Sequence, residues 1–131
     1  MNHFSLTTYL SSNLNIDEQS ISEMIDHCIR KNVEKGDFLL RRGEFCEHTF
    51  FVEKGLLRQF AIDEKGKEHI IQFAPENWFV SDRDSVYFKE PSQYFIQTLE
   101  NSSIVLVDDN FLNNLSQKVP AFVDFNTRLL H

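Results

Sequence analysis

Cysteine and cationic residues are both scarce in this sequence of 131 residues, and each shortage excludes a class of protein. The two cysteines, Cys28 and Cys46, lie at a spacing that fits no standard zinc pattern. We expect two free thiols with structural roles, because an unpaired cysteine is commonly a small buried hydrophobe. The 13 Lys and Arg residues are outnumbered by 20 Asp and Glu residues, which gives a formal charge of −7. This charge argues against binding of a nucleic-acid backbone by the chain itself.

Long apolar runs are missing as well. No uninterrupted apolar run approaches the roughly 20 residues that a membrane-spanning helix requires, and the polar N-terminus lacks the apolar stretch of a signal peptide. We therefore expect a cytoplasmic protein without a membrane partner. Repeats, low-complexity tracts and domain linkers are also absent. Residues 1–131 are predicted to form a single domain, which is large enough to bury a core.

Glycine is the third scarce residue, and its few positions organise the sequence. All four glycines lie between residues 36 and 66. Glycine adopts positive φ angles at little steric cost, so it marks places where a chain reverses direction. The runs between these glycines are short and rich in phenylalanine and branched residues, which strands favour. Turn signals at this spacing predict an all-β sandwich or barrel, which we assign to residues 32–107.

The individual strands are predicted from the same apolar runs and turn residues. The segment Asp63-Glu64-Lys65-Gly66 is typical of a hairpin loop, with glycine where positive φ is usually needed. A polar segment, residues 81–85, precedes the last two strands. The predicted strands cover residues 38–40, 50–54, 56–62, 67–74, 78–80, 93–99 and 103–107.

A helical region is predicted before the barrel, over residues 1–31. Asn15 and Glu18 have the spacing of a capping box at the start of its clearer helix. Apolar residues then recur at the spacing of one helical face, and this stripe must pack against the barrel. Its members are Ile21, Met24, Ile25, Cys28 and Ile29.

A second helical region is predicted after the barrel, over residues 108–131. Pro120 suits the first turn of the final helix, where its missing N–H costs nothing. Phe122, Phe125 and Leu129 recur at close to coiled-coil spacing in that helix. A helix with such an exposed apolar seam requires a partner, so we predict a symmetric homodimer through these three residues.

Four segments together carry a resemblance to a known family: KGDFLLRRGE, FFVEKGLLRQF, DEKGKEHIIQF and ENWFVSD. This series resembles the cyclic-nucleotide-binding sensor domain of the Crp/Fnr family of bacterial transcription regulators, over nearly the whole chain. The resemblance implies a mainly β fold, a double-stranded β-helix or jelly roll called a β-roll, with flanking helices and a C-terminal dimerisation helix. Family members usually continue into a helix-turn-helix that binds DNA. The sequence ends before such a unit, so DNA is expected to be a partner only through an output domain outside this chain.

The family binds its ligand with a short cassette between two strands, and the resemblance assigns its positions here. Ser81 and Asp82 correspond to a Gly-Glu pair whose carboxylate binds the ribose, while Ser92 and Gln93 fall where an Arg and a hydroxyl residue bind the phosphate. The carboxylate is kept and the cation is lost. We therefore expect an unidentified small-molecule effector instead of cAMP or cGMP, with Arg83 beside the cassette or Arg58 on a strand as possible substitutes for the cation.

The surroundings of the cassette leave the nature of the ligand open. A group of aromatic residues could form a ring around a small, partly apolar ligand, or could simply fill the barrel. Its members are Trp78, Phe79, Tyr87, Phe88, Tyr94 and Phe95.

Two alternatives to a ligand sensor remain open. The first is an interaction module that binds no ligand and dimerises through its last helix. The second is a cupin-like metalloenzyme, since cupins share the general roll architecture. None of the five histidines forms the His-x-His pair that cupins use, and Cys46-Glu47-His48 is the sole candidate cluster of metal ligands. We therefore expect no catalytic activity, no metal and no resident cofactor.

Overall fold

Eight strands and one short helix lie between residues 28 and 108 in a computed structural model. The structure describes residues 28–108 together with Leu6, Thr8, Leu10, Ser12, Gln19, Ile25 and Asp26. In chain order the elements are β1 Ile29–Val33, β2 Phe38–Leu40, β3 Thr49–Lys54, β4 Leu57–Ile62, β5 Glu68–Ala74, β6 Phe79–Val80, α1 Arg83–Phe88, β7 Phe95–Thr98 and β8 Ser102–Val107.

The strands form two antiparallel sheets of four strands each. One sheet has the order β1-β8-β3-β6 and the other has the order β2-β7-β4-β5. Neighbours in space are mostly distant in sequence; Phe50 of β3, for example, pairs with Leu106 of β8. The two sheets confirm the predicted mainly β roll.

The core lies between the sheets and is built by the alternation of side chains along each strand. Phe50 and Val52 of β3 enter it from the first sheet, and Leu57 and Ile96 enter it from the second. Within β7, Ile96 and Thr98 are buried whereas Phe95 and Gln97 are partly exposed. This alternation determines which polar side chains of β4, β5 and β7 face the interior.

The β4–β5 hairpin has the predicted turn. The N–H of Asp63 donates to the carbonyl of Lys67 over 3.0 Å, and Gly66 adopts a φ of 83°. Asp63 Oδ1 accepts hydrogen bonds from the backbone N–H groups of Lys65 and Lys67, each over 2.9 Å. An aspartate that bonds its own turn in this way favours the reversal locally.

A helical residue before β1, Leu6, contacts β3. Leu6, Leu10 and Ile25 are helical and buried. The backbone N–H of Leu6 donates to Glu53 Oε2 over 3.3 Å, and Arg30 forms an ion pair with the other oxygen of Glu53 over 3.3 Å. One carboxylate of β3 therefore contacts both the N-terminal segment and β1.

One sequence-based assignment is wrong in this region. Ile29 was predicted on the buried helical stripe, but it begins β1 and is 58% exposed. The helical region therefore stops short of residue 31. The predicted polar segment 81–85 contains the N-cap of α1. The predicted cap pair Asn15 and Glu18, and residues 109–131 with Phe122, Phe125 and Leu129, lie outside the described residues.

Candidate functional site

A cleft of about 270 Å³ opens where the edges of the two sheets meet. Each sheet ends in an edge strand there, β5 in one sheet and β6 in the other. Ile71 and Gln72 of β5 line one side of the cleft, and Phe79 and Val80 of β6 line the other. Ser81, Asp82 and Arg83, which follow β6 directly, complete the second side.

Asp82 begins α1 by capping its first turn. Its backbone is extended, and its Oδ1 accepts a hydrogen bond from the N–H of Ser85 over 3.2 Å. Aspartate is among the preferred N-cap residues because it satisfies a backbone donor that has no partner within the helix. The helix ends at Lys89, which adopts the left-handed conformation with φ 54° and ψ 49°. These local preferences hold the chain in the cassette conformation that follows β6.

Asp82 and Ser92 are joined by a buried hydrogen bond. Ser92 Oγ donates to Asp82 Oδ2 over 2.6 Å, and the two residues are 1% and 5% exposed, respectively. The N–H of Tyr94 donates to Ser92 Oγ over 3.0 Å and fixes the orientation of the hydroxyl. Both oxygens of the Asp82 carboxylate are thus engaged within the protein. The structure therefore brings together the two predicted cassette residues that lie ten positions apart in the sequence.

Ser81 is directed towards the loop before β3. Its Oγ donates to the carbonyl of His48 over 3.1 Å, and the thiol of Cys46 donates to the same carbonyl over 3.2 Å. The N–H of Cys46 donates in turn to Ser85 Oγ over 2.9 Å. Cys46 is 3% exposed. The hydrogen bonds made by Cys46 and Ser81 therefore attach the loop before β3 to the cassette.

The predicted Cys46-Glu47-His48 cluster does not form a metal site. Across the described residues, no group of three His, Cys, Asp or Glu side chains is placed to hold a metal ion. Among the helices formed by those same residues, none is both long and apolar enough to cross a membrane.

Two glutamines form a polar floor inside the cleft. Gln59 of β4 and Gln72 of β5 are cross-strand partners, and Gln72 Nε2 donates to Gln59 Oε1 over 2.8 Å. Gln59 Nε2 donates onwards to the carbonyl of Ser81 over 3.3 Å. Gln59 is only 4% exposed. The sequence pattern did not indicate these residues; the signal that could have identified them is a glutamine at an inward-facing position in two successive strands.

The remaining predicted site residues are distributed around the cleft. Arg83 is half-buried at its rim, next to the exposed Asp84, which also lines it. Gln93 is exposed and is not among the lining residues. Arg58 lies on the outer face of β4, where it donates to Gln97 Oε1 over 2.8 Å and to Glu68 Oε1 over 2.9 Å. Arg58 is therefore not the cation of this cleft.

The predicted aromatic ring is only partly present. Phe79 and Tyr94 line the cleft. Trp78, Tyr87 and Phe88 are instead 52%, 74% and 64% exposed. Phe95 stacks on Phe60, with ring centroids 5.0 Å apart, on the outer face of the second sheet. Among the described residues, the predicted aromatic group therefore contributes two side chains to the cleft lining and does not enclose it.

Comparison with known proteins agrees with this architecture. Residues 30–119 match the family model described as "Cyclic nucleotide-binding domain". The anaerobic regulatory protein of Pasteurella multocida is 26% identical over 117 residues, which cover 88% of this chain and 42% of that protein. The chain thus spans less than half the length of this curated relative.

Solved structures share the fold at lower sequence identity. The catabolite activator protein of Thermus thermophilus superposes with a TM-score of 0.75 at 14% identity, over 93% of this chain and 56% of that one. A regulator of Xanthomonas campestris, described as c-di-GMP responsive, superposes with a TM-score of 0.66 at 16% identity, over 87% of this chain and 54% of that one. As the resemblance to Crp/Fnr sensor domains predicted, the chain belongs to the cyclic nucleotide-binding domain family.

Proposed function

We propose that this chain is the effector-sensing domain of a Crp/Fnr-like transcription regulator and that its effector is not cAMP or cGMP. The observation that carries the proposal is the buried hydrogen bond from Ser92 Oγ to Asp82 Oδ2 over 2.6 Å. By resemblance, Ser92 stands where the family has the arginine that binds the cyclic phosphate. A neutral hydroxyl occupies that place, and it is already bonded to the carboxylate of the cassette.

Electrostatics supports the exclusion of a cyclic phosphate. A phosphodiester carries a full negative charge, and enclosing an ion without a counter-charge is costly. An arginine offsets this cost with a planar fork that donates to two phosphate oxygens. The lining of this cleft holds two carboxylates, Asp82 and Asp84, and one guanidinium, that of Arg83. Its formal charge is therefore −1, which repels an anion.

A change of effector is compatible with the fold. The regulator of Xanthomonas campestris is described as responsive to c-di-GMP, although its structure superposes with this chain with a TM-score of 0.66. This fold thus occurs in a regulator described as responsive to a molecule other than cAMP or cGMP. This supports the proposal that the cassette of this domain binds an effector other than cAMP or cGMP.

Calorimetry with cAMP and cGMP tests the proposal. The wild-type domain should show no binding at micromolar concentrations, and Ser92→Arg should gain affinity for at least one nucleotide because it restores the cation beside Asp82. Gln93→Arg is the matched control, because it adds the same charge one residue away at an exposed position. Micromolar binding by the wild type would contradict the altered specificity. Separately, mass spectrometry of small molecules released when the purified domain is denatured would identify the natural effector.

The second candidate is a ligand-free interaction module. It is favoured by the Asp82 carboxylate, whose oxygens accept bonds from Ser85 N–H and Ser92 Oγ within the fold. Such a module would release no small molecule on denaturation, and it would act through dimerisation. Under both proposals the domain acts in the cytoplasm, forms a homodimer through its last helix and contacts DNA only through a separate output domain. Neither proposal assigns it catalytic activity.

A further inference from the structure

We infer that the cleft selects an uncharged, planar ligand that carries a neighbouring N–H and C=O, and that Gln72 is the residue that recognises it. Primary amides, lactams and nucleobases form this chemical class. The inference rests on the proposed function, since it names the ligand chemistry of the same cleft. It is carried by the two glutamines of the floor, whose hydrogen bonds run in a single direction.

The direction of these hydrogen bonds leaves part of the Gln72 side-chain amide without a partner among the described residues. Gln72 Nε2 donates to Gln59 Oε1, and Gln59 Nε2 donates to the carbonyl of Ser81. An amide nitrogen has two hydrogens, so Gln72 retains a second donor. Among the described residues, none donates a hydrogen bond to Gln72 Oε1. Within the described part of the chain, its amide therefore has both an unused donor and an unused acceptor at the cleft.

An amide with a free donor and a free acceptor side by side pairs best with a ligand that has the complementary arrangement. Glutamine recognises adenine bidentately on this principle, through one donor and one acceptor of the base edge. A carboxylate ligand has acceptors but no donor, so it can use only half of the Gln72 amide. The two carboxylates of the lining, Asp82 and Asp84, disfavour such an anion further.

Gln59 holds Gln72 in place for this role. Gln59 is 4% exposed and is bonded on both sides, to Gln72 and to Ser81. A buried polar group in such a network is expensive to leave unpaired, so its orientation is strongly specified. The donor and acceptor of Gln72 are thus oriented before a ligand arrives, which reduces the entropy lost on binding.

The walls and the volume restrict the ligand to a small ring. The apolar and aromatic surface of the cleft comes from Ile71, Phe79 and Tyr94. The volume of about 270 Å³ lies just below the range of pockets that bind drug-sized molecules. One or two fused rings are therefore the appropriate size.

Nicotinamide and nicotinate form a matched pair of probes, because they share a ring and differ in an amide against a carboxylate. Uracil adds a lactam. Ligand-observed NMR titrations should show that nicotinamide and uracil bind the wild-type domain at least tenfold more tightly than nicotinate. Gln72→Leu should weaken both neutral probes at least tenfold. The matched control is Gln97→Leu, which changes a glutamine on the outer face of the same sheet and should leave binding unchanged.

A second variant covers the case in which Gln72→Leu fails to fold. Gln72→Glu keeps the shape of the side chain but removes its donors, and it should also abolish binding of the neutral probes. Nicotinate binding as tight as that of nicotinamide, or unchanged binding by a folded Gln72→Glu protein, would overturn the inference. If mass spectrometry finds a bound anion, the inference fails while the proposed sensor survives. If no probe binds and no molecule is released, both fail.

Discussion

Gly55 lies in direct contact with Ser102, the first residue of β8. A Cβ atom at residue 55 would be 2.6 Å from Ser102 Cβ and 2.8 Å from its Cα. The N–H of Leu56 donates to Ser102 Oγ over 3.3 Å, which keeps the two segments together. The turn between β3 and β4 can therefore adopt its position against β8 only when residue 55 has no side chain.

Gly55→Ala should strongly destabilise the domain. Gly55 has a φ of 110°, so alanine would be strained there and would also collide with the backbone of Ser102. Strain at positive φ costs roughly 1–2 kcal/mol, and overpacking adds about 1–3 kcal/mol. Urea unfolding should show a combined loss of about 3 kcal/mol. The control is Gly66→Ala at φ 83°, where no heavy atom lies within 4 Å. Its loss should be limited to the strain, so equal losses in the two variants would contradict the contact.

The positions of the strands were predictable from the sequence because they depend on short-range patterns of apolar and turn residues. Short apolar runs separated by Gly55 or by the hairpin that ends at Gly66 place β3, β4 and β5 within one or two residues of their observed bounds. Ile29 shows the limit of local patterns. It continues the helical spacing of the preceding residues, yet it pairs with Leu106 of β8 across the first sheet. A contact between residues so distant in sequence overrides a local periodicity.

The candidate site was partly predictable for a related reason. The resemblance to the family's cassette identified Asp82 and Ser92, which the structure joins by a hydrogen bond. The glutamine floor was not predictable, because it depends on the register of two strands. A β-bulge between Gln59 and Phe60 shifts that register, and Gln59 lies opposite Gln72 as a result. Such a shift moves side chains from one face of the sheet to the other. The position of this bulge could not be predicted from the sequence.

The Asp63 carboxylate should stabilise the β4–β5 hairpin at all but acidic pH. A hydrogen bond from His69, 2.8 Å from Asp63 Oδ2, and a second one from the N–H of Lys67 hold the pKa of Asp63 below its ordinary 3.8. A carboxylate with a lowered folded pKa contributes stability above its unfolded pKa and loses it as the pH falls through the folded pKa. The contribution is thus complete well above pH 3.8 and disappears once the pH has fallen below the lowered folded pKa.

NMR titration of the Asp63 carboxyl measures this shift directly. Urea unfolding between pH 2 and pH 7 should also show a shallower acid-range loss of stability in Asp63→Asn than in the wild type. Glu64→Gln is the neighbouring control, since Glu64 is an exposed residue of the same turn. A titration midpoint of Asp63 at or above 3.8 would be incompatible with the hydrogen bonds described.

Cys28 should be unreactive in the folded protein at neutral pH. Burial of its thiol, reinforced by the negative charge of Asp108, raises its pKa to about 11, although Arg30 opposes the shift. The thiolate is the reactive form, and at pH 8 it makes up about one part in a thousand, against about one in ten for a thiol with the ordinary pKa of 9.0. Alkylation of Cys28 by iodoacetamide should therefore be about a hundred times slower in the native domain than in urea.

Peptide mapping by mass spectrometry gives the alkylation rate of Cys28 separately from that of Cys46. The rate should rise about tenfold per pH unit between pH 8 and pH 10, because the thiolate fraction does so below the pKa. Asp108→Asn removes a charge that raises the pKa, so it should accelerate the reaction. A native rate equal to that in urea would show that the thiol is exposed and unperturbed.

The final prediction concerns the proposed homodimer, for which Phe122, Phe125 and Leu129 are the predicted contact residues. The spacing of three and four residues between them would place all three on one face of the predicted helix, as in a two-stranded coiled coil. Phe125→Asp inserts a charge at the centre of that seam, where two copies would meet across the symmetry axis, so it should convert the dimer to a monomer. Sedimentation velocity over a concentration series measures the change. Thr127→Asp adds the same charge on the opposite face of the predicted helix and should leave the dimer intact. A wild-type domain that stays monomeric at every concentration, or a dimer that survives Phe125→Asp, would exclude this seam as the interface.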